Sequence, residues 1–299
     1  MKSFTRFLDL TLVATSMFLF VGCGSSSTDM TPPPGGGTIS GVVTKGPVSG
    51  ATMMALAISN GTMGAQIGAG TTDGQGNFTV SVGDYSGPVM LQMSGGTYTD
   101  EATNTRMAMQ AGDVMTSLIP SVTAGSTMSG IQVTPLTAMA QLRAQNMAGG
   151  MTVANIGTAN AEVGNYFLVS DILHTMPMDP LVAAGSGATA TQDAKNYGMT
   201  LAAMSQYAAT VGMPHSSGVV TAMMDDASDG VMDGKLGASP ITMGGGMMGG
   251  SMMQATAGTS GLATAMSQFV GSSMNKSGVT VSDMQTLINV LSTSSGVIQ

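Results

Sequence analysis

Charge is scarce in this sequence. Only 8% of its 299 residues are charged, aromatic residues make up 4%, and there is a single cysteine. Each shortage excludes something. One cysteine leaves no partner for an internal disulfide. Eight basic residues against 16 acidic ones, a net charge of −8, supply no basic patch for nucleic acid or for an anionic membrane surface. Nucleic acid is therefore not an expected partner. Acid–base or nucleophilic catalysis needs a base held beside a nucleophile. The only histidines are His174 and His215. There is no Gly-x-Ser-x-Gly turn, no His-Glu-x-x-His pair and no glycine loop closed by Lys-Ser/Thr. Asp100 and Glu101 are adjacent carboxylates, read as strand neighbours that point to opposite faces. These absences lead to the expectation of no catalytic residues, no cofactor and no enzyme. Glycine (43) and methionine (31) are what the chain has in excess. Solubility then rests on Ser, Thr, Asn and Gln, a weakly charged surface suited to a tethered protein.

The N-terminus carries an address. Lys2 and Arg6 precede an apolar run, Leu10–Val21, and Gly22 is a small residue at a cleavage position, so residues 1–22 read as a signal peptide. The run is about a dozen residues, whereas a membrane-spanning helix needs roughly twenty. The one cysteine follows at once. Phe20-Val21-Gly22-Cys23 resembles the lipobox of bacterial lipoproteins, with Phe20 where that family usually has Leu. The resemblance implies acylation of the Cys23 thiol and anchorage to a membrane through that lipid. The chain is then expected in the cell envelope, at the outer membrane, facing the periplasm or the surface. Residues 23–37 form the lipidated cysteine and a Ser/Gly linker stiffened by three prolines.

Between Thr38 and Gln110 the pattern is β. Short β-branched runs at 39–43, 51–58, 66–72, 77–82, 89–93 and 105–110 are separated by Gly, Pro, Asn and Asp. Asn77–Val82 alternates polar and apolar, as a strand with one buried face does. Asp73-Gly74-Gln75-Gly76 before it is a tight turn. Several short strands at this spacing indicate an all-β sandwich, assigned here to residues 38–112. Gly41-Val42-Val43, Gly46-Pro47-Val48-Ser49-Gly50-Ala51 and Thr71-Thr72-Asp73-Gly74-Gln75-Gly76-Asn77-Phe78 together resemble the carboxypeptidase regulatory-like domain. That family implies a transthyretin-like (prealbumin-like) sandwich with an accessory role and no active-site residues. Ser94–Thr103 resembles a stretch of bacterial lipoproteins of unknown function.

After a Gly/Ser/Thr-rich junction the period changes to that of helices. Leu136, Met139, Ala140, Ala144 and Met147 form one stripe behind Thr134-Pro135, a helix start. Tyr197, Leu201, Met204, Ala208 and Val211 form a second stripe, Leu262, Met266, Phe269 and Val270 a third, and Met284, Leu287, Ile288 and Leu291 a fourth. Ala154–Val169 reads as a further helix. A multidomain chain follows, with the sandwich first and a mainly α-helical domain over residues 129–299.

Two segments offer metal ligands. Asp225, Asp226, Asp229 and Asp233 place four carboxylates within nine residues, enough oxygen for Ca²⁺, without the spacing of an EF-hand loop. The plain alternative is a solvated turn between helices. Met243, Met247, Met248, Met252 and Met253 lie in a Gly-rich segment, and thioethers select Cu(I). Their spacing resembles the methionine-rich segments of periplasmic copper-handling proteins. His174-Thr175-Met176 and Met213-Pro214-His215 add mixed groups. Methionine elsewhere in the chain serves as core filler. The leading expectation is a non-catalytic binding, adhesion or structural protein with an envelope or extracellular ligand. A metal-handling lipoprotein is the alternative, and an envelope enzyme the third.

Overall fold

In the computed structural model, residues 36–183, 186–244 and 251–299 are described. The signal peptide, Cys23, the linker through residue 35, Met247 and Met248 lie outside them. The described chain begins β-rich and continues helical. Nine strands come first: β1 Gly37–Val43, β2 Thr52–Ser59, β3 Thr62–Thr71, β4 Asn77–Gly83, β5 Gly87–Ser94, β6 Thr97–Thr99, β7 Arg106–Ala108, β8 Val114–Val122 and β9 Thr127–Val133. One sheet has the order β4-β1-β9, with β1 antiparallel to β4 and parallel to β9. A second has the order β3-β2-β5-β8, antiparallel throughout. β6 and β7 form a separate hairpin.

Alternation explains β4. Phe78, Val80 and Val82 are buried while Asn77 and Thr79 are exposed, as the two-residue period requires. At Gly41 an added Cβ would stand 1.8 Å from the Ile131 carbonyl oxygen, so β1 approaches β9 closely only with glycine there. β5 and β8 behave differently. Val89, Met90 and Leu91 are buried in succession, and so are Met115 through Ile119. Both faces of these strands are covered, because α1 (Pro135–Asn146) and α2 (Val153–Tyr166) lie against β8. A strand covered on both faces shows no alternation, and for this reason the junction expected after residue 112 is instead β8 and β9. Strand structure continues to Val133, and the helical part starts at Pro135.

The remaining elements are α3 Ser186–Thr189, α4 Gln192–Thr210, α5 Ser217–Ser228, four two-residue strands (β10 Lys235–Leu236, β11 Ser239–Pro240, β12 Thr242–Met243, β13 Ser251–Met252), α6 Ser260–Val270 and α7 Val281–Thr293. Threonine caps four of the helices. The Thr134, Thr152, Thr191 and Thr280 side chains each accept from a first-turn amide, satisfying a donor that has no partner within the helix. α1 packs on α5, α4 on α6, and α6 on α7. The four expected stripes fall on helices except for their last members Met147 and Val211, which cap α1 and α4, and Leu136, Tyr197, Leu262 and Met284 are wholly buried. Buried apolar residues of the β-rich and helical parts form one continuous core. Among the described residues no helix is long and apolar enough to cross a membrane.

Candidate functional site

The densest buried polar cluster lies where the β-rich part meets α4 and α5. Its first member is Lys45, in the connection from β1 to β2. The next residue, Gly46, has φ +62°, and a Cβ on it would stand 2.2 Å from the Thr99 carbonyl oxygen. Glycine therefore lets this connection press on the β6–β7 hairpin and delivers the lysine inward. The hairpin supplies Tyr98, Asp100 and Glu101. Ser205 comes from α4, and Ser216 stands just before α5. All six are at least 97% buried.

Lys45 Nζ lies 2.9 Å from Glu101 Oε2 and 5.4 Å from the centroid of the Tyr98 ring. It also donates to Ser205 Oγ in a short contact. Ser205 Oγ donates in turn to the same Glu101 oxygen at 2.5 Å. Asp100 Oδ2 accepts from Ser216 Oγ at 2.6 Å, which leaves the Ser216 oxygen to accept from the Tyr98 hydroxyl at 3.1 Å. Asp100 Oδ1 takes the Thr103 amide and hydroxyl, each at 3.0 Å. Burial pulls the Lys45 amine down, but Glu101 and then Asp100 outweigh it and hold the amine above its ordinary value. Burial pushes Asp100 up. The Lys45 charge and the hydrogen bonds from Ser216 and Thr103 more than reverse that, so its carboxyl sits below the usual range.

A hydroxyl beside a lysine amine is the pair a Ser/Lys hydrolase uses. That chemistry needs a hydroxyl open to substrate, and Ser205 is sealed. The cluster instead holds four β-side residues to two helices. One edge of it is open: Glu101 borders a cavity of about 240 Å³ whose walls include Val42, Pro47, Met176, Pro180 and Leu201.

The reading of Asp100 and Glu101 as opposite-facing strand neighbours is corrected here. β6 ends at Thr99, both residues lie in the turn that follows, and both act on Lys45. The sequence offered only fragments of this site, one of few lysines just before Gly46-Pro47 and a Tyr-x-Asp-Glu run, with nothing local to join them.

Asp225 and Asp226 lie on α5, and Asp229 and Asp233 follow it. Asp226 is fully buried. Its Oδ1 accepts the amides of Asp233 (3.0 Å) and Gly234 (2.6 Å), while Oδ2 has no hydrogen-bond partner among the described residues. Burial pushes its carboxyl up to about 6, against the pull of those two amides. Burial also raises half-buried Asp225. Asp229 is exposed and accepts the amides of Val231 and Gly237, and Asp233 accepts that of Lys235. These carboxylates fasten turns. Among the described residues, no group of three or more His, Cys, Asp or Glu side chains comes together as a metal site.

Of the five methionines, Met243 and Met252 line one cavity of about 470 Å³ with Tyr207, Gln254 and Gln268. Met243 is buried, Met252 is 63% exposed, and Met253 points into the core. His174 Nδ1 pairs with Asp171 Oδ2 at 2.8 Å on the surface.

No family model and no curated protein matches this chain. Among solved structures, a 9R-lipoxygenase from Cyanothece PCC8801 is similar over 38% of this chain and 18% of its own length. Identity is 14% and the TM-score 0.23, a likeness too slight to carry an argument about fold or activity.

Proposed function

We propose that the chain is an exported, lipid-anchored protein of the bacterial cell envelope whose folded part binds or supports a partner without catalysis. The position of the one cysteine carries this reading. Cys23 follows directly on a charged start, an apolar run and Gly22, and a Pro/Gly-rich stretch comes after it. Within this reading the β-rich part is a transthyretin-like sandwich of the carboxypeptidase regulatory-like kind. Support for that comes from sheets of three and four strands, from the inward residues Phe78, Val80 and Val82, and from the glycines at positions 41 and 46. The absence of catalysis is supported by the fate of the best reactive groups: Lys45, Glu101 and Ser205 are buried and hydrogen-bond one another, and buried Ser216 bonds Asp100 and Tyr98.

Replacing Cys23 by Ser tests the anchor. The variant is expected to leave the membrane fraction or to remain unprocessed, and mass spectrometry of the wild-type N-terminus is expected to show an acylated cysteine. An unmodified chain cut at another position would end this reading.

A further inference from the structure

We infer that Lys45 and Glu101 become joined covalently, by an amide between Nζ and the side-chain carboxyl, with no outside reagent. Three features of the site support this. The first is contact without water. The two groups meet at 2.9 Å with side chains 0% and 3% exposed. Amide formation from an amine and a carboxylate is opposed in bulk water chiefly because both ions are well hydrated. Inside a protein that hydration is already lost, and a buried ion pair is the costly state that an uncharged amide relieves. Holding the two reactants in contact also removes the entropy cost of bringing them together.

The second feature is a proton path. Ser205 Oγ touches both Nζ and Oε2, accepting from the first and donating to the second. A proton can pass from the ammonium to the carboxylate directly or through this hydroxyl, giving a neutral amine beside a carboxylic acid. The Nζ lone pair then attacks Cδ. A second Nζ proton follows the same route to Oε2, the Cδ–Oε2 bond breaks, and Oε2 leaves as water. Three ammonium hydrogens end as one on the amide and two on the water, so atoms and charge balance. The third feature is an exit: Glu101 borders the 240 Å³ cavity into which that water can pass.

Asp100 loses the lysine charge when the amide forms and keeps its hydrogen bonds. Three hydrogen bonds from Ser216 and Thr103 already hold its two oxygens. The bond would tie the β1–β2 connection to the β6–β7 hairpin, closing a loop between residues 56 apart in a chain that has no pair of cysteines to do so. This inference does not rest on the proposed envelope location.

Tryptic digestion of the full chain after denaturation tests it, because trypsin cuts after a free lysine and not after an acylated one. The expected result is no cut at Lys45. Residues up to Arg106 should stay attached to those before Lys45, and the product should be lighter than its sequence mass by one water. Lys45→Arg, whose guanidinium does not form this amide, should release residues 46–106 at full mass. Cleavage after Lys45 in the wild type, with both products at full mass, would overturn the inference and leave an ion pair only. A water missing from Lys45→Arg as well would place the loss elsewhere and overturn it equally. If Lys45→Arg does not fold, the wild-type digest decides alone.

Discussion

Asp100 and Glu101 on one side of the molecule, and Asp226 on another, are all carboxyl groups that the fold has closed off from water. The first two are met by a lysine and by hydroxyls from two helices, and Asp100 is thereby held ionised below its ordinary range. Asp226 is met by backbone amides and by the like charge of Asp233, and its carboxyl rises to about 6. Burial acts on Asp100 and Asp226 in the same direction, toward the neutral form. What differs is the company. A full positive charge outweighs desolvation, and two amide dipoles do not. Buried acid therefore signals a latch in one place and an expensive turn in the other.

The largest test removes the positive charge. Lys45→Met keeps a chain of similar length but leaves Glu101 and Asp100 enclosed without the lysine, whether it stands there as a cation or as an amide. Breaking a buried pair from one side costs about 3–5 kcal/mol, and denaturant titration should show a loss of that size. A loss under about 1 kcal/mol would mean that the helices supply enough hydrogen bonds alone, and the contrast with Asp226 would vanish. A smaller effect belongs to Ser216→Ala. It withdraws one donor from Asp100 and the acceptor of the Tyr98 hydroxyl. A buried group left unsatisfied costs about 1–3 kcal/mol, so the midpoint should fall while the Lys45–Glu101 pair stays whole. A drop as large as that of Lys45→Met would show that the two halves of the cluster stand or fall together.

How much of this was legible in the sequence follows from which interactions are local. The helices carrying Leu136, Tyr197, Leu262 and Met284 were legible, because their apolar residues recur at helical spacing. β4 was legible from alternation about Phe78. β8 and α5 were not. Met115–Ile119 is covered on both faces and shows no period to read. The acids of Asp225–Gly234 looked like a solvated turn, although the first two belong to a helix whose Val219, Val220, Met223 and Met224 are buried. The Lys45 cluster was hidden for a different reason. Its hydrogen-bonded partners lie up to 160 residues apart, and only the packing of α4 and α5 on the hairpin unites them. Strand geometry was the wrong frame for Asp100 and Glu101 because the strand stops one residue earlier.

Asp226 yields the smallest effect, and its sign is opposite. Its folded value of about 6 lies above the 3.8 of the unfolded chain. Between those values the folded state binds the proton that the unfolded state has released. Stability therefore falls as pH rises from about 4 to about 6 and stays low above that. Asp100 runs the other way: its contribution is present above 3.8 and is lost as pH falls through its lowered folded value. The shift at Asp226 corresponds to at most about 3 kcal/mol. Asp226→Asn keeps an oxygen for the amides of Asp233 and Gly234 and removes the ionisation. Its new NH₂ falls where Oδ2 has no partner, which reduces the net gain to about 1–2 kcal/mol at pH 7. Thermal melts from pH 4 to pH 8 should show wild type losing stability across the lower half of that range and the variant staying level. Parallel curves for the two proteins would mean that Asp226 is ionised in the fold without penalty, and burial would then no longer separate the two clusters.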